Sequence, residues 1–340
     1  MRVLVLGGTA FVGRAVVVAA LERGWTVTTF NRGVTDDDVP GVHVVRGDRY
    51  NASDLDRLVT HGPWDAVIDT SGYIPRNVLD TALCLRPAAG RYVFMSTVSV
   101  YEEWPATALS EASPLLPCPP DAGPDYGVDV EDGPTKYGYQ KAGCEAAAQQ
   151  TFGAAHTVVL RPGVVLGPRE TVGRLPWWLR RVAAGGVVVA PGKPDRGIQP
   201  VDVRDVGDFV VRCLDRSLTG AFNLTAPMER DTFGDLLAAC AHATASNATL
   251  RWVDDDLLLR AGVRQWSELP LWRTMDGVWR VDGSRAAAAG FACRPLAATV
   301  ADTWEWLKAS GAPLVNERSA EIGLSEVRER SLLAASGLRV

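Results

Sequence analysis

The sequence predicts an α/β fold, a doubly wound parallel sheet with a smaller, mostly C-terminal lobe. Three observations predict it. The apolar run Val3-Leu4-Val5-Leu6 leads straight into a glycine-rich turn and then a helical pattern. Further apolar runs alternate with helical stretches through the first half, as parallel strands joined by crossover helices do. After Arg161-Pro162 the segments become shorter and irregular, and eight of the eleven tryptophans fall between 177 and 306.

Taken in order, Val3–Leu6 reads as a short buried strand, followed by the turn Gly7-Gly8-Thr9-Ala10-Phe11-Val12-Gly13 and a helix through Arg23. Thr26–Phe30 alternates as a second strand, and Val42–Val45 is a third. Ala66–Asp69 and Tyr92–Met95 are buried strands, each preceded by a helical segment. The stretch 114–127 holds five prolines and is a loop. A long helix follows at about Pro134–Phe152, with Pro134 suited to its first turn, and then the strand Thr157–Leu160. Residues 1–163, with returns around 201–223, form the sheet domain. Residues 164–200 and 224–310 build the smaller lobe, and 311–340 form a polar helical tail that includes Glu317–Arg330. The tail packs on the body or on a second subunit, which leaves a homodimer open.

Composition narrows the partners. The chain has 340 residues, 47% of them apolar, and a net charge of −5 without a basic block, which argues against nucleic acid. It has no run of 18 apolar residues, so no membrane span is expected. The apolar start is too short for a signal core and lacks a small-residue cleavage site. Six scattered cysteines and four scattered histidines suggest reduced thiols, a cytoplasmic location and no metal site.

A strand, a glycine turn and a helix start together make an anion site, because main-chain N–H groups point outward and the helix dipole favours negative charge. Gly7, Thr9, Ala10, Phe11, Val12 and Gly13 would hold a pyrophosphate there. NAD binders usually carry an acid at the end of the second strand, whereas this chain has Phe30-Asn31-Arg32-Gly33. Arg32 can pair with a 2′-phosphate beside Asn31, which favours NADP, with NAD as the alternative. Asp36-Asp37-Asp38 reads as a solvated loop. After the third strand, Asp48 can accept from an adenine amino group, with Arg49 beside it. Thr70-Ser71-Gly72, after the fourth strand, lies close to the cofactor, and Tyr73 follows.

Tyr137 and Lys141 stand one helical turn apart on one face. A free phenol has a pKa of about 10, and a nearby ammonium lowers it toward useful acid–base range. Ser96-Thr97-Val98-Ser99-Val100-Tyr101 supplies hydroxyls at the end of a central strand.

These segments occur in series with Leu160-Arg161-Pro162-Gly163-Val164-Val165-Leu166-Gly167-Pro168, Val201-Asp202-Val203-Arg204-Asp205-Val206 and Gly220-Ala221-Phe222-Asn223-Leu224. The series, over about residues 1–310, resembles the extended short-chain dehydrogenase/reductase family, of the NAD-dependent epimerase/dehydratase type. The resemblance implies a Rossmann domain with Tyr137 as proton donor, Lys141 lowering its pKa and binding the nicotinamide ribose, and Thr97 holding the substrate carbonyl. It also implies that Pro162, Gly163 and Val164 border the cofactor. Two departures bear on substrate. Val164 stands where nucleotide-sugar enzymes of the family carry asparagine, and Ile198 where they carry arginine, although Arg196 is near. Both remove contacts for a diphosphate and favour a smaller or more apolar molecule.

The expectation is an NADP(H)-dependent oxidoreductase that reduces a carbonyl or imine of a small metabolite. An epimerase or dehydratase with tightly bound NAD(P) and a sugar-type substrate is the alternative. Val98 stands where dehydratases usually place an acid, which counts against that branch. A non-catalytic dinucleotide-binding or RNA-binding scaffold is the third reading. Tyr101, Trp104 and Tyr139 either touch substrate or pack.

Overall fold

A computed structural model describes residues 1–310 and 320–335. In chain order it comprises β1 (Arg2–Leu6), α1 (Phe11–Glu22), β2 (Thr26–Asn31), β3 (His43–Arg46), α2 (Ala52–Val59), β4 (Trp64–Asp69), α3 (Pro75–Leu85), β5 (Ala89–Met95), α4 (Lys136–Phe152) and β6 (Thr157–Pro162). There follow β7 (Val165–Leu166), α5 (Arg174–Ala183), β8 (Val187–Pro191), β9 (Gly197–Ile198), β10 (Val201–Asp202), α6 (Val203–Asp215) and β11 (Gly220–Leu224). The remainder is β12 (Asp231–Thr232), α7 (Phe233–Thr244), β13 (Thr249–Val253), α8 (Asp255–Arg260), α9 (Ser284–Ala288), α10 (Leu296–Ser310) and α11 (Glu326–Ala335).

The chain divides into two compact units. The first comprises 1–164, 203–227 and 276–292. Its seven strands are all parallel, in the order β11-β6-β5-β4-β1-β2-β3. The order reverses between β1 and β4, the switch point beside which such sheets bind ligands at the carboxyl ends of their strands. Parallel strands covered on both faces read as near-continuous apolar runs, which is why β1, β4, β5 and β6 were legible. Leu4, Leu6, Val67, Tyr92 and Phe94 pack with α2, α3 and α4. Val5 turns to the opposite face, where α1 packs on α6.

Residues 276–292 depart from the expectation, which put them in the smaller lobe. They are drawn into the first unit by the main chain: Asp282 N donates to Leu109 O at 2.8 Å and Leu109 N to Arg280 O at 3.0 Å. Asn223 Nδ2 also donates to Asp282 O, at 3.0 Å.

The second unit comprises 165–202, 228–275 and, of the described residues that follow, 293–310 and 320–335. It has three two-stranded sheets, β7–β10, β9–β12 and β8–β13. Its core is aromatic. Trp178 meets Trp177 and Phe233 edge-on, at 4.7 and 5.6 Å between centroids, and its indole N–H donates to Pro270 O at 2.8 Å. Trp272 is fully buried and donates to Asp255 Oδ1 at 2.8 Å.

Within the expected helical tail 311–340, the C-terminal helix spans 326–335, and 311–319 and 336–340 lie outside the described residues. It is anchored through Glu329, which accepts from Arg181 Nε at 2.7 Å and from Val189 N of β8 at 3.0 Å. Arg181 also donates to Gly185 O at 3.0 Å and Val187 O at 2.6 Å. Among the described residues no helix is long and apolar enough to cross a membrane.

Candidate active site

Every residue singled out from the sequence as a site residue lies in the first unit, and most lie where its parallel strands end. Gly7 and Gly8 have φ of +104° and +97°, which side chains rarely tolerate. A Cβ on Gly13 would meet Gly8 N and Thr70 Oγ1, both at 2.8 Å, so its absence lets α1 close on the turn. Thr70 Oγ1 in turn donates to Leu6 O at 3.0 Å. α1 starts with Ala10 as N-cap and has no acid in its first turn, so no side chain caps its leading N–H groups. Thr9 is buried beneath that turn, while Phe11 and Val12 are half-buried on it. A helix start left in this state fits an anionic ligand group such as a pyrophosphate.

The tip of β2 corrects the sequence reading. Asp38 is not a solvated loop residue. Both terminal nitrogens of Arg46 bond it, and Asn31 Nδ2 donates to it at 3.2 Å and to Gly7 O at 3.4 Å. Arg46 also donates to Asn31 Oδ1. Burial raises the Asp38 pKa, but the Arg46 and Asn31 bonds outweigh it and hold the carboxyl below its ordinary 3.8. A carboxylate therefore does stand at the tip, because the loop folds back on it. Three guanidinium groups lie on or against that loop: exposed Arg32, Arg46, and Arg14, which donates to Asp37 O at 2.8 Å.

The Arg49 fork is buried and bidentate to Asp69 at the end of β4, with both distances 2.9 Å. A buried carboxylate needs a counter-charge, and Tyr92 OH at 2.7 Å and Ser71 N at 3.0 Å complete its shell. Burial alone would raise the Asp69 pKa; Arg49 reverses it to below 3.8. The arrangement pins Ser71-Gly72. Asp48 serves its own turn, accepting from Tyr50 N at 3.0 Å.

Lys141 is buried, and its ammonium donates to Gly72 O at 2.7 Å and Met95 O at 2.6 Å, two of its three donors. It also lies 4.2 Å over the Phe94 ring and 5.3 Å from the Tyr73 ring. Burial pushes its pKa below 10.5, partly offset by Cys144, Asp69 and Glu145. Tyr137 is half-buried, with its ring 6.4 Å from that of Tyr73. Its helix starts at Lys136 rather than Pro134, because Thr135 is the N-cap and accepts from Gly138 N at 3.2 Å. The buried Thr97 hydroxyl accepts from Ser99 N at 3.2 Å and donates to Ser99 Oγ at 3.3 Å.

Gly138 brings these groups together, and sequence reasoning missed it. A Cβ there would stand 2.2 Å from Ser99 O, so α4 rests directly on the Thr97–Ser99 turn. The signal was a glycine between two tyrosines in a helix start, where glycine is disfavoured without a packing reason. At the end of β6, Pro162 and Val164 are buried and Gly163 N donates to Leu224 O at 3.1 Å. Tyr101 is fully buried, Tyr139 meets Tyr126 edge-on at 6.4 Å, and Trp104 packs on the cluster of Val98, Val100 and Leu109.

Comparison with known proteins agrees with this architecture. The model of the NAD dependent epimerase/dehydratase family matches residues 3–224. The 2-alkyl-3-oxoalkanoate reductase of Stenotrophomonas maltophilia (strain K279a) is 31% identical over 191 residues, which are 50% of this chain and 52% of that protein. The chain thus spans about half the length of this curated relative. Among solved structures, the Bordetella bronchiseptica enzyme WbmH in complex with NAD+ is similar with a TM-score of 0.67 at 19% identity, over 92% of this chain and 99% of that one. The Thermus thermophilus UDP-glucose 4-epimerase complex with NAD gives 0.61 at 19%, over 91% and 100%. At such identity the two structures speak for the fold. With the family model matching well over half its length, this chain belongs to the NAD-dependent epimerase/dehydratase family.

Proposed function

We propose that the protein is an NADP(H)-dependent reductase of a small, largely apolar carbonyl or imine compound, with Tyr137 as proton donor. One observation carries the reading: a buried ammonium, held by two main-chain carbonyls, stands one helical turn from Tyr137, whose helix rests on the turn that pins the Thr97 hydroxyl. A bound reduced nicotinamide supplies the hydride to the substrate carbon. Thr97 donates a hydrogen bond to the substrate oxygen or nitrogen, and Tyr137 passes its phenolic proton to that atom. The Lys141 charge stabilises the phenolate left behind. A positioned acid of this kind contributes about 10²–10⁴-fold in rate.

The Stenotrophomonas relative is named for reducing a 3-oxo compound with an alkyl branch, which agrees with ketone reduction and an apolar substrate. The NAD complexes of the structural neighbours support a nicotinamide dinucleotide as cofactor. Arg32, Arg46 and Arg14 around the β2 tip favour the 2′-phosphate of NADP. Asp38 is the specific observation behind NAD as second reading, since a carboxylate there can accept from a ribose hydroxyl.

The test is Tyr137→Phe with NADPH and a panel of ketones, β-keto acids and imines. Turnover should fall at least about 10²-fold while NADPH binding, followed by fluorescence, is retained. Wild-type turnover by the variant would overturn the assignment.

A further inference from the structure

Behind Lys141, a second polar cluster is buried that the proposed chemistry does not touch. Tyr137, Lys141 and Glu145 recur every fourth residue along one face of α4. Glu145 accepts from Arg161 through both arms of the fork, at 2.9 Å from Nε and 2.6 Å from Nη2. The same carboxylate accepts from the Ser96 hydroxyl, on the residue immediately before Thr97. Arg161 Nη1 donates to Tyr101 OH at 3.0 Å, and Tyr101 OH donates to Asn223 Oδ1 at 2.6 Å. The guanidinium also lies 5.0 Å over the Tyr101 ring. Ser96, Glu145 and Arg161 are each at most 3% exposed, and Tyr101 and Asn223 are fully buried.

The placement is specific. β5, β6 and β11 are neighbours in the sheet, Arg161 is the register partner of Asn223, and Ser96 N donates to Leu160 O at 2.6 Å. One cluster therefore joins the carboxyl ends of three adjacent strands to the helix that carries Tyr137 and Lys141. Burial works against the Arg161 charge, but the Glu145 bonds outweigh it and the group stays cationic. A buried ion pair of this kind adds little stability over well-packed apolar groups of the same size. Fixing geometry accounts for it better than holding the fold together.

We propose that Glu145 and Arg161, with Ser96 and Tyr101, are positioning residues that set the separation between Thr97 at the end of β5 and the Tyr137–Lys141 face of α4. This rests on the reductase reading for its kinetic consequence but not for its geometry. A misplacement of about 1 Å between such groups can cost about 10²-fold in rate.

The test compares the double variant Glu145→Gln/Arg161→Met, which replaces the pair by neutral groups of similar size, with the single variant Arg161→Lys. The double variant should keep its melting temperature and its Kd for NADPH, while kcat falls about 10²-fold and KM changes little. Arg161→Lys keeps the charge but loses the fork, so its kcat should fall by a smaller factor. Wild-type kcat in a stable double variant would overturn the proposal.

If the double variant does not fold, Ser96→Ala and Tyr101→Phe each remove one hydroxyl from the cluster. A lower kcat at unchanged KM in either supports the positioning role, and unchanged kcat in both overturns it. A readout without substrate separates this inference from the functional reading. The phenolate absorbance of Tyr137 is titrated as the difference from Tyr137→Phe, with and without the pair. A phenol pKa that moves toward its free value in the double variant supports the brace even if no carbonyl compound is reduced. A phenol that does not move overturns it even if the wild type is an active reductase.

Discussion

In the first unit, ionic groups are buried at the carboxyl ends of a single sheet: Arg49 with Asp69 after β3 and β4, and Arg161 with Glu145 beside β6. In the second unit the largest buried groups are indoles and a phenyl ring, Trp178, Trp272 and Phe233, among three separate two-stranded sheets. The contrast follows from backbone organisation. A continuous parallel sheet brings many strand ends to one edge, where charged side chains can be held by neighbouring main chain. The second unit also buries carboxylates, Glu170, Asp202 and Glu329 beside Arg174, Arg294 and Arg181, but not along one sheet edge, and its largest buried side chains are aromatic ones that can be exchanged with modest repacking. The first arrangement suits fixed chemistry, the second a region whose lining can vary.

The comparison can be broken most directly at Asp69. Asp69→Asn leaves Arg49 buried without its counter-charge, and should cost about 3–5 kcal/mol in urea unfolding. Because the folded pKa of Asp69 lies below 3.8, its contribution is complete above that pH and is lost as the pH falls through the lower folded value. The variant should therefore lack that part of the acid destabilisation seen in the parent. A variant as stable as the parent would mean that charge burial is incidental to the first unit.

A smaller effect is expected from Trp178→Phe in the second unit. It loses the bond to Pro270 O and part of the indole contact, at a cost of about 1–3 kcal/mol by thermal unfolding. NADPH affinity should not change. The smallest effect concerns the rim of the first unit. Arg46→Ala should lower the preference for NADPH over NADH about tenfold in binding titrations, or about 1.4 kcal/mol. An increased preference would show that Arg46 serves only to hold Asp38.

Much of the first unit was legible because its determinants are local. β1 with its glycine turn, the apolar runs of β4 and β5, and the four-residue spacing of Tyr137 and Lys141 are each complete within a short window. What escaped depends on distant chain. Asp38 reads as one of three loop acids until Arg46, eight residues on, is seen to bond it. Arg49 reads as a cofactor-side neighbour of Asp48 until Asp69, twenty residues on, is seen to bond it. The return of 276–292 to the first unit depends on Leu109, far away in sequence. Glu145 was half legible, since it continues the 137–141 spacing in a helix otherwise lined with alanine, but its partner Arg161 lies on another element. The bounds of the helix within the C-terminal tail were not legible because its polar composition carries little periodic signal, whereas its anchor, Glu329, meets residues of α5 and β8.

The strand β8 pairs with β13 on one side, through its even-numbered positions: Thr249 N donates to Gly186 O, and Gly192 N to Val253 O, both at 2.8 Å. Its odd-numbered positions face the other way, and there Arg181 bonds Gly185 O and Val187 O while Glu329 takes Val189 N. Two side chains thus occupy Val187 O and Val189 N, two of the main-chain groups with which a further strand would pair. An open strand edge is the usual template for runaway sheet extension and aggregation. Here that margin is blunted, so addition of a further strand to β8 is disfavoured.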